Sequence, residues 1–319
     1  IDSIKLNNTY AKFKLTDAAN TLDIQKTIID SLTFTTSTVN LDKIYIIYNG
    51  TDNATIINPY ANVGINITAT AGTVAVNATS GIDNLEYNIL GSTANGSLTI
   101  TTDKDVNLVL NNLTLTNPNG AAFDILGGKT TNFILTSGTT NTLSDGANST
   151  RNGAITTDGP ITINNSGTLT ITSLVKHGIN TASTLAIANG TISVSAVTDG
   201  FHTEGFTMNA GNATISSTGD GIDAGNGAIA ISGGTINIVS TSNDVKAIKT
   251  GNNTITISGG TINLTVSGAQ SKGISAKGDI MITNGTFTIG LSGATVLTAE
   301  ASGFNPSYAC GFKSDGQIA

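Results

Sequence analysis

A short motif repeats along the C-terminal half of the chain, and this repeat limits the fold more than any other feature. Each copy contains two Ile-x-Ile-like pairs separated by a bend rich in Gly or Asn, as in PITINNSGTLTITS (160–173) and TITISGGTINLTV (254–266). The first apolar residues of six successive copies lie 21 to 26 residues apart: Ile161, Leu185, Phe206, Ile229, Ile255 and Ile280. Because side chains of a strand alternate between its faces, each pair predicts a short strand with one buried face.

A third apolar position precedes each pair of strands and usually follows a glycine. It is occupied by Ile155, Ile179, Phe201, Ile222, Ile248 and Ile274. Three short strands in each coil of about 23 residues predict an all-β parallel β-helix, in which like residues stack from coil to coil and bury one continuous column. An antiparallel sandwich is the weaker alternative, because it does not require the whole motif to recur in a fixed phase.

The motif divides the chain into three predicted parts. We place the solenoid at residues 91–296, with less regular coils near its start, as in VNLVLNNLTLTN (106–117). Residues 1–90 lack the motif but contain alternating runs such as KIYIIYNG, so we expect a β-rich N-terminal segment or cap, with an immunoglobulin-like fold as one option. Residues 297–319 break the repeat and are expected to form a C-terminal cap or tail.

Composition excludes several classes of protein. The formal net charge of −7 argues against nucleic-acid binding, which needs a basic face. No apolar run approaches the roughly 18 residues of a transmembrane helix. The single cysteine, Cys310, excludes an internal disulfide and a paired-cysteine metal site, and its role stays open. We expect a monomer, exported through a leader that has been removed.

Aligning the coils on the third apolar position brings charged residues into two columns, with neighbours roughly 4.8 Å apart. The residues two positions before it are Gly153, His177, Asp199, Asp220, Lys246 and Lys272. Those one position after it are Thr156, Asn180, His202, Asp223, Lys249 and Ser275. Both histidines of the chain lie in these columns, and only 11% of the residues are charged, so this concentration marks a candidate site.

Stacked carboxylates repel each other unless a cation or a basic side chain neutralises them. One hypothesis is a Ca²⁺ site with Asp199, Asp220 and Asp223 as ligands, because Ca²⁺ binds six to eight oxygens. A second is a ligand-binding site formed by the remaining polar residues near the columns: His177, His202, Glu204, Lys246, Lys249 and Lys272. The alternative is that these charged side chains bind nothing. They would then form a row of surface ion pairs that solvent screens and that add little to stability. We assign no catalytic residue, although a lysine with a lowered pKa could act as a base.

Several blocks in fixed order resemble a known family. The stretch DVNLVLNNLTLTNPNGAAFDI, then TTNTLSDG, then the turns KHGI, TDGF, GDGI and NDVKAI with their ISGGTI units are similar to bacterial carbohydrate-binding β-helix proteins, whose fold is related to that of pectate lyases. The resemblance covers about residues 85–293. It implies a right-handed helix, secretion, bound Ca²⁺ and binding of plant polysaccharides such as cellulose or pectic chains. The segments LDIQKTIIDSLTF and KIYIIYNG resemble the start of bacterial surface lipoproteins.

Together these observations favour a non-catalytic polysaccharide-binding protein, located outside the cell or on its outer surface, with a lipid anchor as one means of attachment. Two alternatives remain open: a surface adhesin or spacer with no defined glycan ligand, and a Ca²⁺-dependent enzyme similar to pectate lyase. The absence of Trp and an aromatic content of 5% argue against sugar binding through aromatic stacking. Binding would instead use hydroxyl, amide and charged groups.

Overall fold

The computed structural model describes residues 43–50, 52–79 and 82–319 in full, and the strand backbones of 3–6, 10–14 and 21–25. The chain divides into two compact units, Ile1–Leu41 and Asp42–Ala319. In the first unit, β1 (Ser3–Leu6), β2 (Tyr10–Lys14) and β3 (Thr21–Gln25) form an antiparallel sheet. An immunoglobulin-like cap at this end stays a prediction.

The second unit is a β-solenoid of about nine turns built from parallel strands. Its described residues include one short 3-10 helix, Ala61–Val63. Its first strands are β4 (Ile44–Gly50), β5 (Ala54–Ile57), β6 (Asn66–Thr70), β7 (Gly72–Ala78), β8 (Leu85–Thr93), β9 (Gly96–Thr102), β10 (Val106–Asn117), β11 (Phe123–Leu126), β12 (Thr131–Leu135), β13 (Thr140–Asp145), β14 (Gly153–Thr157), β15 (Ile161–Asn164) and β16 (Thr168–Ser173).

The remaining strands continue the same order of three strands per coil until the C-terminal segment. They are β17 (His177–Thr181), β18 (Leu185–Ile187), β19 (Thr191–Ala196), β20 (Phe201–His202), β21 (Phe206–Met208), β22 (Asn212–Ser217), β23 (Ile222–Asp223), β24 (Ile229–Ile231), β25 (Thr235–Ser240), β26 (Lys246–Lys249), β27 (Ile255–Val266), β28 (Lys272–Ala276), β29 (Ile280–Leu291), β30 (Val296–Glu300), β31 (Gly303–Ser307) and β32 (Cys310–Ser314). The all-β parallel solenoid predicted from the repeat is confirmed.

The strands form three ladders that run along the solenoid. The first ladder contains β12, β15, β18, β21 and β24, and the second contains β13, β16, β19, β22 and β25. The long strands β10, β27 and β29 bend and take part in both. The third ladder runs from β7 through β9, β11, β14, β17, β20, β23, β26 and β28 to β32. It carries the charged columns.

Glycine makes the bend between the first and second ladders. At this corner the backbone has positive φ, which costs glycine little because it has no Cβ. The glycines there are Gly190 (φ 113°), Gly211 (83°), Gly234 (81°), Gly260 (92°) and Gly285 (130°). The Gly-Gly and Asn-Gly pairs of the repeat are therefore needed by the backbone at the same point in each coil.

The interior is the predicted stack of apolar side chains. All six residues at the third apolar position are fully buried: Ile155, Ile179, Phe201, Ile222, Ile248 and Ile274. In the last coil, the equivalent apolar residues Ile282, Phe287 and Ile289 of β29 are only half-buried. β29 pairs with β27 along its length, and at its other edge Ile280 and Ile282 hydrogen-bond to the C-terminal residues 317–319.

The solenoid begins earlier than the residue 91 expected from the motif. β4 pairs in parallel with β8, and β7 pairs in parallel with β9. β4 and β7 do not belong to a copy of the repeat with its two apolar pairs and Gly- or Asn-rich bend. Their buried residues nevertheless alternate with more exposed ones, as in the later strands. At the other end, β30 and β31 form an antiparallel hairpin, and β32 extends the third ladder by pairing with β28.

Candidate functional site

The outer surface of the third ladder carries a cluster of charged side chains at β17, β20, β23 and β26. The register pairs Thr156 with Asn180, Asn180 with His202, His202 with Asp223, and Asp223 with Lys249. This is the column predicted one position after the apolar residue. We call the six side chains that meet here the charged strip: His177, Asp199, His202, Asp220, Asp223 and Lys249.

Glycines in the third ladder let the chain approach the core closely where the strip is formed. A Cβ added to Gly200 would lie 2.3 Å from Cγ2 of Ile215, so any larger residue would collide with the second ladder. The backbone N–H of Gly178 donates to the carbonyl of Asp199 (3.1 Å), and that of Gly200 donates to the carbonyl of Asp220 (3.1 Å). These bonds between adjacent coils fix the register of the turns that contain Asp199 and Asp220.

Asp199 joins the two histidines. Its Oδ2 lies 3.2 Å from Nδ1 of His177 and 3.0 Å from Nδ1 of His202. The two imidazole rings stack, with centroids 4.3 Å apart and planes 20° apart. The Thr198 hydroxyl lies 2.9 Å from His177 Nδ1, and the backbone N–H of Asp220 donates to Asp199 Oδ1 at 2.9 Å.

Lys249 joins the other two carboxylates. Its Nζ lies 2.8 Å from Oδ2 of Asp223 and 3.2 Å from Oδ2 of Asp220. The backbone N–H of Lys246 donates to Asp220 Oδ1 (2.6 Å), and that of Gly225 donates to Asp223 Oδ1 (3.0 Å). One ammonium group and two backbone N–H donors therefore stabilise this pair of stacked carboxylates.

These contacts shift the pKa values of the strip. Burial alone would raise the pKa of Asp199, but hydrogen bonds from His177 and His202, the charge of His177 and the Asp220 amide together lower it below its ordinary value. The hydrogen bond to Asp199 raises the pKa of His202. Burial raises the pKa of Asp220, although the Lys246 amide and Lys249 oppose this shift.

The same contacts act on the lysine. Burial alone would lower the pKa of Lys249, but its hydrogen bond to Asp223 and the charges of Asp220 and Asp223 raise it above the ordinary value. The ammonium form is therefore favoured, and Lys249 is poorly suited to accept a proton from a sugar ring at neutral pH.

The predicted calcium ligands lie together, but each of their carboxylate oxygens already has a hydrogen-bond or ion-pair partner. Each of the six carboxylate oxygens of Asp199, Asp220 and Asp223 accepts from an amide, an imidazole or the Lys249 ammonium. A Ca²⁺ ion, which takes six to eight oxygen ligands, would have to displace Lys249. While Lys249 bridges Asp220 and Asp223 the three aspartates do not fit Ca²⁺, so a calcium site here requires a rearrangement of these side chains and stays a prediction.

The other three residues predicted to bind ligand make separate contacts. Glu204 accepts the backbone N–H of Asn226 (3.2 Å) at the corner after β20. Lys246 stacks on Lys272 as predicted, and its Nζ contacts Oδ1 of Asp244 (3.0 Å). Lys272 is 6% exposed, and its Nζ donates to the backbone carbonyls of Gln270 and Tyr308.

The outer column continues upstream of Thr156, a continuation that the alignment of the six repeats did not include. Asp124 pairs with Thr156, its Oδ1 lies 2.6 Å from Nη2 of Arg151, and the Thr156 hydroxyl donates to the same oxygen (2.7 Å). The sequence FDI (123–125) could have revealed this continuation. Phe123 pairs with Ile155 and so occupies the third apolar position, which places Asp124 in the outer column. Arg151, in the segment between β13 and β14, therefore contacts this column.

Comparisons with known proteins agree with this architecture. The family described as carbohydrate-binding domain-containing protein matches residues 62–309. A solved structure, described as a polysaccharide lyase-like protein from C. thermocellum in a gadolinium derivative, is similar with a TM-score of 0.60. The two chains are 19% identical, and the match covers 87% of this chain and 97% of the other. At that identity the likeness concerns the fold.

No curated protein matches the sequence significantly. In the part of the chain that the structure describes, no helix has the length and apolar character needed to cross a membrane.

Proposed function

Because the chain belongs to the carbohydrate-binding domain family, with residues 62–309 matched, we propose that it binds an acidic polysaccharide along the charged strip without cleaving it. A polysaccharide-binding role follows from the family. The acidic class of glycan, the binding surface and the absence of catalysis are our proposal. We further propose that the protein acts outside the cell, where pectic chains, which are rich in uronate groups, are accessible.

The observation that carries this proposal is the difference in exposure within the strip. The side chains of His202 and Lys249 are 41% and 34% exposed, whereas those of Asp199, Asp220 and Asp223 are 14%, 12% and 11% exposed. The carboxylates and His177, whose side chain is also 14% exposed, therefore lie underneath, and the nitrogen groups of His202 and Lys249 lie outermost. A uronate chain would meet the nitrogen groups first, and hydrogen bonds between charged partners are stronger than neutral ones.

The internal contacts support binding rather than catalysis. A lyase needs a base to take a proton from the sugar ring, but the pKa of Lys249 is raised, and Arg151 is paired with Asp124. Glycoside hydrolysis needs two carboxyl groups placed across a cleft. Asp220 and Asp223 instead lie on one face and share the same ammonium group.

Glycan binding tests the proposal directly. Wild-type protein stripped with EDTA is titrated with polygalacturonate and with soluble cellulose oligomers, first at low salt and then near 1 M salt. We expect polygalacturonate to bind more tightly, and to bind less tightly at high salt, because the Debye length falls to about 3 Å at 1 M. Adding Ca²⁺ in a parallel titration tests calcium assistance.

Two variants place the binding surface. His202→Gln and Lys249→Gln are expected to weaken polygalacturonate binding, whereas Lys129→Gln, at an exposed lysine between β11 and β12, is the matched control and should bind like the wild type. Equal affinity in all four proteins would refute the assignment to the strip. If the wild type binds no glycan, a spacer or adhesin role is favoured instead. A rise in unsaturated-uronate absorbance would show lyase activity.

A further inference from the structure

Two imidazoles and one carboxylate converge at one point of the strip, and this grouping has a use beyond hydrogen bonding. One ligand atom each from His177, Asp199 and His202 lies within 4.8 Å of the others. We propose that these three residues form a binding site for a divalent first-row transition metal such as Zn²⁺. This inference goes beyond polysaccharide binding and does not depend on it.

The separations of the donor atoms fit such an ion. In a tetrahedral Zn²⁺ site, with metal–nitrogen bonds of about 2.0–2.1 Å, neighbouring ligand atoms are roughly 3.3 Å apart. Asp199 Oδ2 lies 3.2 Å from His177 Nδ1 and 3.0 Å from His202 Nδ1. The two ring planes are only 20° apart, so each imidazole has to turn about its side-chain torsions before its Nδ1 lone pair points at the shared ion.

The kind of donor selects the class of metal. Imidazole nitrogen suits Zn²⁺, Cu²⁺ and Ni²⁺, whereas Ca²⁺ takes oxygen ligands almost alone. Two of the three donors here are nitrogens, so the site should discriminate against Ca²⁺. It also differs from the site of three aspartates expected from the sequence, with which it shares only Asp199.

The surroundings are suited to a metal ligand set. The backbone N–H of Asp220 donates to Asp199 Oδ1 at 2.9 Å and leaves Oδ2 directed at the histidines. Such outer hydrogen bonds orient metal ligands and tune their affinity. The side chain of His202 is 41% exposed, so an ion can enter from solvent and keep a coordination position for water.

The site can be tested with the metal alone. Protein without a histidine tag is stripped with EDTA and titrated with ZnCl₂ by calorimetry, and the imidazole proton signals are followed by NMR. The chain has two histidines, so both sets of signals report on the site. We expect one Zn²⁺ per chain, with both histidines shifting together, and no comparable heat from CaCl₂.

Single substitutions identify the ligands. His177→Gln, His202→Gln and Asp199→Asn should each weaken Zn²⁺ binding by at least the roughly 10–100-fold that loss of an outer-shell partner costs. Asp124→Asn, at a carboxylate further along the same outer column, is the matched control and should leave Zn²⁺ affinity unchanged. Far-UV circular dichroism confirms that each variant is folded.

The inference is overturned if wild-type protein takes up no Zn²⁺ at millimolar metal, or if Zn²⁺ binds equally well to the folded His177→Gln and His202→Gln variants. Because the polygalacturonate titrations use EDTA-stripped protein, the two proposals fail separately. Glycan binding without Zn²⁺ binding removes only the metal site, and Zn²⁺ binding without glycan binding removes only the polysaccharide assignment.

Discussion

Replacing Lys249 with Met removes the ammonium group that bridges two mostly buried carboxylates. Its Nζ lies 2.8 Å and 3.2 Å from Oδ2 of Asp223 and Asp220, whose side chains are 11% and 12% exposed. Removing one partner of a buried ion pair costs about 3–5 kcal/mol. Because the Lys249 side chain is 34% exposed and water can partly replace its charge, we expect a smaller loss of unfolding free energy, about 1–3 kcal/mol.

Lys246→Met is the matched control, because Lys246 lies on the same strand. Its Nζ contacts Oδ1 of Asp244, whose side chain is 59% exposed. An ion pair of this exposed kind is worth about 0–1 kcal/mol. Urea unfolding followed by far-UV circular dichroism at pH 7 measures both variants against the wild type, with the slope of each transition compared as well as its midpoint.

Two results would refute the reasoning about Lys249. One is an equal loss of stability in the Lys249→Met and Lys246→Met variants, which would mean that the buried carboxylates do not need the bridging ammonium. The other comes from the double variants. Adding Asp220→Asn or Asp223→Asn to Lys249→Met removes one of the repelling charges, so part of the lost stability should return. A further loss instead would contradict a charge-based origin.

The remaining predictions concern packing and pH. Gly221→Ala should cost about 1–3 kcal/mol, because its Cβ would lie 2.4 Å from Cγ2 of Ile238, whereas Gly290→Ala, with its nearest atom at 3.8 Å, should be nearly neutral in the same urea unfolding. The raised pKa of His202 means that its contribution to stability is complete below the unfolded pKa of about 6.5 and is lost as pH rises through the folded pKa. In metal-free buffer the stability difference between wild type and His202→Gln should therefore shrink with rising pH, and a difference independent of pH would contradict this linkage. The lowered pKa of Asp199 gives a contribution that is present above about pH 3.9 and lost as pH falls towards the folded pKa, so Asp199→Asn should lose less stability than the wild type in acid.

Much of the fold could be predicted from the sequence because a solenoid is stabilised by neighbours that share one pattern. Residues such as Ile179, Phe201 and Ile222 stack on one another, and their shared position in the motif is visible in the letters. The same alignment correctly paired Asn180 with His202 and Asp223 with Lys249. β4 and β7 lack the repeat motif. Their alternating apolar residues predict strands, but the sequence does not show which strand each of them pairs with.

The contacts of individual charged side chains could not be predicted in this way. Lys246 and Lys272 lie in one column and Lys249 lies in the other, yet all three have different partners. Lys246 pairs with an exposed acid, Lys249 with two buried acids, and Lys272 with two backbone carbonyls. One of the two partners of Lys272 is the carbonyl of Tyr308, in a tail that breaks the repeat. Its burial therefore depends on a segment with no place in the alignment.

Local features of the sequence specify the solenoid, its glycine corners and the two charged columns, because alternation, bend residues and stacking act between adjacent positions or adjacent coils. Which charged groups meet depends on the folded chain: Asp199 contacts both histidines, and Lys249 contacts Asp220 and Asp223. These contacts are not visible in the sequence because coil length varies and long side chains reach across coils. The direction of each side chain then depends on which neighbouring hydrogen-bond partner satisfies it once it is buried.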